Sequence, residues 1–195
     1  MCRLSAALAS AFVLLTVLVD TGVTAGLDRR GMNHLAPLAG SNWTLLATAA
    51  DPIVTAALFG AAFLVLRSRG ATTAAWAWIA ALAIGLLVEV VCKAAIDQIA
   101  FSPEERVFDL FSLAKSFPSG HAMRAVLLAG VGTAVAPRYA RIWIAYAAFV
   151  GVWVVVSGMH LVSDAVGGVL LGAALVAAVN CRWPTGRVRR AGVVD

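Results

Sequence analysis

Six long apolar runs, at residues 4–26, 46–66, 72–96, 120–136, 140–159 and 162–181, limit what this chain can become more than any other feature. A helix needs about 20 predominantly apolar residues to cross about 30 Å of hydrocarbon, and these runs approach or exceed that length. A chain of 195 residues that is 62% hydrophobic and 13% charged has more apolar surface than one water-soluble core can absorb; soluble domains run at about 45–50% and about 25%. The expectation is an all-α bundle of six transmembrane helices forming a single domain over residues 1–195.

The formal charge of +5 does not point to nucleic acid, because the arginines sit in short clusters between the apolar runs. With both termini cytoplasmic, the inner segments carry Arg3, Arg67, Arg69, Arg138, Arg141, Arg182, Arg187, Arg189 and Arg190, and the positive-inside bias is satisfied. The outer segments carry Arg29, Arg30, Lys93, Arg106, Lys115 and Arg124. The run after Arg3 resembles a signal peptide, with Val23-Thr24-Ala25 in place of a cleavage site. A retained first helix is expected, since an even number of spans places the charges consistently. Cys2, Cys92 and Cys181 show no metal-binding spacing and are expected to be small unpaired thiols.

Between the first two runs, Asp28-Arg29-Arg30 followed by Met32, Leu35 and Leu38 has the spacing of a short interfacial amphipathic helix, with Trp43 at the membrane boundary. Residues 97–118 form the one sizeable polar stretch, containing Glu104, Glu105, Arg106, Asp109 and Lys115. Functional residues belong near it.

Three pieces of sequence fall on that same side. Lys93 ends the third run, Phe117-Pro118-Ser119-Gly120-His121 opens the fourth, and His160 with Asp164 joins the fifth to the sixth. Each has an ordinary structural reading: a snorkelling lysine, a helix-initiating turn, an i,i+4 hydrogen bond. Gathered at membrane depth, where ionisable groups are costly, they call for a functional one. Pro118-Ser119-Gly120 would present backbone N–H groups at a helix N-terminus, a site suited to phosphate. His121 is then placed to protonate a leaving oxygen, and His160, made more basic by Asp164, to attack phosphorus in line. Lys93 would bring positive charge to the equatorial oxygens.

At these residues the chain resembles the type 2 phosphatidic acid phosphatase superfamily, membrane lipid phosphate and polyprenyl diphosphate phosphatases related to the vanadium haloperoxidases. The family's second motif stands intact as Pro118-Ser119-Gly120-His121. The end of its third stands as His160 and Asp164, followed by Gly167-Gly168. The resemblance implies that His160 is the nucleophile forming a phosphohistidine and Asp164 its orienting partner. It further implies His121 as the general acid, with Ser119, the Gly120 amide and Lys93 holding phosphate. No metal and no cofactor are expected.

Two departures bear on catalysis. The family's first-motif arginine and proline align with Ala100 and Phe101, and its third-motif serine and arginine with Trp153 and Val154. Arginine is the usual bidentate ligand of phosphate oxygens, and loss of one transition-state donor costs on the order of 10²–10³ in rate. Arg124, three residues after His121 on the same helix face, is one replacement; the other reading is a structural ion pair with Glu89 or Asp97. Arg106 is a second candidate, or a solvated loop charge. Glu89 is expected to pair with a cation in the bundle interior, and Asp51 to cap the second helix.

The function expected is a phosphatase of a lipid phosphomonoester or diphosphate, such as polyprenyl diphosphate, phosphatidylglycerol phosphate or phosphatidate. It would be a multi-pass protein of the inner (plasma) membrane with its site on the outer face. Its partners would be the lipid phosphate and the bilayer, with no nucleic acid. The alternative is a non-catalytic family member that binds a lipid phosphate or scaffolds a membrane complex. A small transporter or channel ranks last, because the prolines lie at helix ends and not at the midplane.

Overall fold

The structure, a computed structural model, describes residues 2–35, 50–98 and 115–183, and the regular structure among them is helical. The helices are α1 (Cys2–Asp20), α2 (Ala25–Leu35), α3 (Pro52–Ser68), α4 (Thr72–Ala95), α5 (Gly120–Val135), α6 (Ala140–Val156) and α7 (Val162–Arg182). A 3₁₀ turn, Pro137–Tyr139, leads into α6. α1, α4, α7 and the stretch Pro137–Val156 are long and apolar enough to cross a membrane; α3 and α5 are apolar but shorter. Val13, Leu14, Val17, Ile84, Leu87, Val91, Ile142, Ile144 and Val152 are exposed on the outer faces of α1, α4 and α6. Outward apolar side chains of this kind suit lipid and not water. The chain is a multi-pass membrane protein.

Helix starts and stops follow local chemistry. Asp51 caps α3 by accepting from the Ile53 N–H at 2.9 Å, and Pro52 occupies the first helical turn, where its missing N–H costs nothing. α1 ends at Asp20, short of the limit of 26 read from hydropathy. Gly22, at φ 75°, donates to the Val19 carbonyl and Val23 donates to the Leu18 carbonyl, which closes a Schellman motif. The amphipathic helix expected in this region is α2. Met32 is buried on it as the spacing suggests, whereas Asp28, read as part of a polar run, is also buried. Leu38, Trp43 and the beginning of the run at 46–66 lie outside the described residues. The runs at 72–96, 120–136 and 162–181 become α4, α5 and α7 nearly as read, while the run at 140–159 stops at Val156.

α5 is the central helix. It packs against α3, α4, α6 and α7, and α1 lies along α7. Close approach between α5 and α7 depends on small residues. A Cβ on Gly168 would collide with the Ser119 carbonyl, and one on Gly172 would lie 2.8 Å from the Met123 carbonyl. Glycines let the two backbones meet, as is usual for helices packed in membranes. Met123, Leu127, Leu128 and Val131 of α5 join Trp78 and Leu82 of α4 and Leu171 of α7 in the larger apolar cluster.

One expectation is corrected at the far end of the bundle. Cys2 opens α1 and Cys181 closes α7, and because these helices run side by side the two cysteines are joined in a disulfide, with Cα atoms 5.3 Å apart. Cys92 alone is a free, buried thiol among the described residues. Arg69 lies at this same end and donates from Nη1 to the Val135 carbonyl at 2.7 Å, covering the C-terminus of α5.

Candidate active site

The end of α4 and the beginnings of α5 and α7 meet at the opposite end of the bundle, and each sequence-predicted residue among them is placed there. Ser119 is the N-cap of α5: its Oγ accepts from the Ala122 N–H at 3.4 Å. The Ser119 N–H donates to the Asp164 carbonyl at 2.9 Å. This bond ties the Pro118–His121 turn directly to the first turn of α7. Gly167 lets the two pack: a Cβ there would lie 2.5 Å from the Phe117 ring. Ser119 is fully buried and His121 partly so.

His160 is set by the turn that follows α6. Gly158 adopts φ 76° and donates to the Val155 carbonyl, which reverses the chain at the helix end. The His160 N–H then donates to the Val154 carbonyl at 2.9 Å, so the backbone of the histidine is held by the helix it has just left. Its Nδ1 faces Asp164 Oδ2 at 3.5 Å. Asp164 is fully buried, and the same Oδ2 accepts from the Leu161 N–H at 2.9 Å, fixing the carboxylate at the N-terminus of α7. Asp164 therefore occupies the Nδ1 side of the ring. The rings of His160 and His121 stand 6.5 Å apart, inclined at 55°.

The cations arrive from α4 and α5. Lys93 Nζ donates to Glu89 Oε1 at 2.9 Å, and Arg124 Nη1 donates to Glu89 Oε2 at 3.0 Å. Arg124 Nε donates to the Ala50 carbonyl at 2.6 Å. All three side chains are buried. Of the partners weighed for Arg124, the ion pair is with Glu89; Asp97 instead pairs with Lys115 at 2.7 Å, and that hydrogen bond holds the exposed Asp97 carboxyl below its ordinary range. Gly120 makes room for the group. A Cβ on it would collide with the Glu89 carboxylate and lie 2.6 Å from Arg124 Nη1.

A second buried carboxylate comes from α2. Asp28 accepts from the Ser163 N–H and from Ser163 Oγ, each at 2.8 Å, and from Gln98 Nε2 at 3.5 Å. Sequence reasoning did not single out Asp28 or Gln98 as site residues, whereas Glu89 was named as one of two ion-pair partners for Arg124 and stands a helical turn before Lys93. Beside this network lies a cavity of about 630 Å³ lined in part by Asp20, Arg29, Asn33, Gln98 and Leu161. Trp153 and Val154 are buried at the end of α6; Ala100, Phe101 and Arg106 lie outside the described residues.

Two histidines, a carboxylate, a lysine and an arginine thus gather at one end of a helical bundle whose outer faces are apolar. Over residues 93–187 the chain matches the sequence model of the PAP2 superfamily. That stretch begins at Lys93 and includes Ser119, Gly120, His121, Arg124, His160 and Asp164. The fold matches the crystal structure of a transmembrane PAP2 type phosphatidylglycerolphosphate phosphatase from Bacillus subtilis, with a TM-score of 0.75 at 20% sequence identity, over 91% of this chain and 94% of that one. No curated protein matches the chain in sequence.

Proposed function

We propose that this protein is a lipid phosphate phosphatase that works through a phosphohistidine at His160. The observation that carries the reading is the placement of His160 Nδ1 against the buried Asp164 carboxylate with the His121 ring 6.5 Å away. Asp164 orients the imidazole and stabilises the positive charge it acquires. Nε2 attacks phosphorus, the P–O bond to the lipid breaks, and protonated His121 gives its proton to the departing oxygen. His121 then takes a proton from water, which attacks the phosphohistidine, releases inorganic phosphate and restores His160. Lys93, Arg124, Ser119 and the Gly120 amide hold the phosphoryl oxygens, the amide at the positive end of α5. The nucleophile comes from the chain itself, so turnover is expected without an added metal.

The surroundings support an amphiphilic substrate, of which polyprenyl diphosphate, phosphatidylglycerol phosphate and phosphatidate are the candidates. An apolar groove of about 840 Å³ between α1, α5, α6 and α7 begins at Ala165 and Val166, next to Asp164. The 630 Å³ polar cavity offers room for a head group. α3 and α5 complete a single domain of six crossings, with both termini cytoplasmic and the site on the outer face of the inner (plasma) membrane; the arginines at the far end support that orientation.

Inorganic phosphate release by the detergent-solubilised protein from a panel of lipid phosphates and diphosphates, with chelator present, tests this reading beside His160→Ala. Release by the wild type that the variant lacks is expected. Silence across the panel from folded protein would favour a non-catalytic lipid phosphate binder, the reading to which the aligned Trp153 and Val154 lend support.

A further inference from the structure

We infer that Glu89 is a positioning residue that pairs Lys93 with Arg124 and sets the net charge of the phosphate cradle. The inference rests on the phosphatase reading and concerns the same site. Each oxygen of the Glu89 carboxylate takes one cation: Oε1 accepts from Lys93 at 2.9 Å and Oε2 from Arg124 at 3.0 Å. The three side chains come from two helices and are buried at 6%, 6% and 4% exposure for Glu89, Lys93 and Arg124. Two cations and one carboxylate leave a single positive charge beside the N-terminal turn of α5.

Geometry shows that the carboxylate is built into the turn. It occupies the space that any side chain at position 120 would need, so the glycine between Ser119 and His121 and the acid on α4 fit only together. Glu89 and the Ala50 carbonyl engage two of the five N–H donors of Arg124, and Glu89 engages one of the three on Lys93. The remaining donors are what a phosphoryl group would use. Two buried cations held this close without the carboxylate would repel each other. Glu89 therefore lets an arginine from α5 stand beside Lys93 where the aligned positions on α6 carry Trp153 and Val154.

Charge arithmetic makes a prediction that a purely structural role does not. Removing Arg124 leaves Lys93 neutralised by Glu89 and the cradle at zero; removing Glu89 as well frees Lys93 and returns the cradle to one positive charge. Arg124→Gln should lower kcat/KM by about 10²-fold or more. The double variant Glu89→Gln/Arg124→Gln should recover at least tenfold of that loss, with inhibition by inorganic orthovanadate recovering in the same order. Neither variant strands an unpaired buried carboxylate, and elution of each as a monodisperse peak in detergent confirms folding. A folded double variant no better than Arg124→Gln in both assays would overturn the role of Glu89 and leave the phosphatase reading standing. Folded wild-type protein that releases no phosphate would overturn the phosphatase reading instead. Orthovanadate binding, measured on the same three proteins by calorimetry, would then decide Glu89 on its own: recovery in the double variant supports it, and no recovery overturns it.

Discussion

The Ser119 N–H donates to the Asp164 carbonyl across 2.9 Å, so the turn that opens α5 and the turn that opens α7 form one hydrogen-bonded unit. Residues far apart in sequence acquire a fixed relation through this backbone bond. His121 follows from the first turn and His160 from the second, and the distance between their rings is a property of how the two helices pack.

That packing has a weak point by design at Gly168. A side chain there meets the Ser119 carbonyl and comes within 3.1 Å of the Met123 N–H, neither of which can move without breaking the unit. Gly168→Val is expected to cost about 1–3 kcal/mol through overpacking and to lower phosphate release with it. Gly151→Ala serves as the control, since its Cβ would make an ordinary contact 3.6 Å from Val169 Cγ2. Thermal unfolding in detergent should separate the two; equal midpoints would show that α5 and α7 do not need this close approach.

Asp28 braces the same region from α2. Replacing it with alanine removes the acceptor for both the Ser163 N–H and the Ser163 hydroxyl in a buried place. Buried polar groups left unpaired cost about 1–3 kcal/mol, so Asp28→Ala should lower the unfolding midpoint and Asp28→Asn, which keeps an acceptor oxygen, should lower it less. Identical losses from the two variants would argue against the hydrogen bonds as the source.

These two examples show where the sequence was legible. α4, α5 and α7 could be read because a long apolar run, a capping serine and a motif glycine act within one helix, and local patterning is visible in local sequence. Asp28 was misread as part of a polar face because its partner, Ser163, lies 135 residues away. The disulfide of Cys2 and Cys181 spans 179 residues and was missed for the same reason. Gly22 and Gly158 end their helices earlier than hydropathy suggests, since a left-handed C-cap outweighs a few further apolar residues. Among the candidate site residues, Lys93, Ser119, Gly120, His121, Arg124, His160 and Asp164 converge at one end of the bundle. Glu89 was read as a partner for Arg124 and as the acid of an interior pair; that its carboxylate takes Lys93 and Arg124 together comes only from the packing of α4 on α5.

The proposed orientation, with the site outside, is tested by labelling. With Cys2, Cys92 and Cys181 replaced by serine, Ala25→Cys should react with an impermeant maleimide from outside intact cells, and Ser68→Cys only after permeabilisation; both positions are exposed at opposite ends of the bundle. Labelling of Ser68→Cys in intact cells would place the site on the cytoplasmic face.

The central claim is that His160 carries the phosphoryl group, and rapid acid-free quenching of the protein with a ³²P-labelled lipid phosphate tests it most directly. Label bound to protein, stable to base, released by mild acid and mapped to His160 is the predicted result. A protein that releases phosphate from the lipid yet never carries label on His160 would contradict the account.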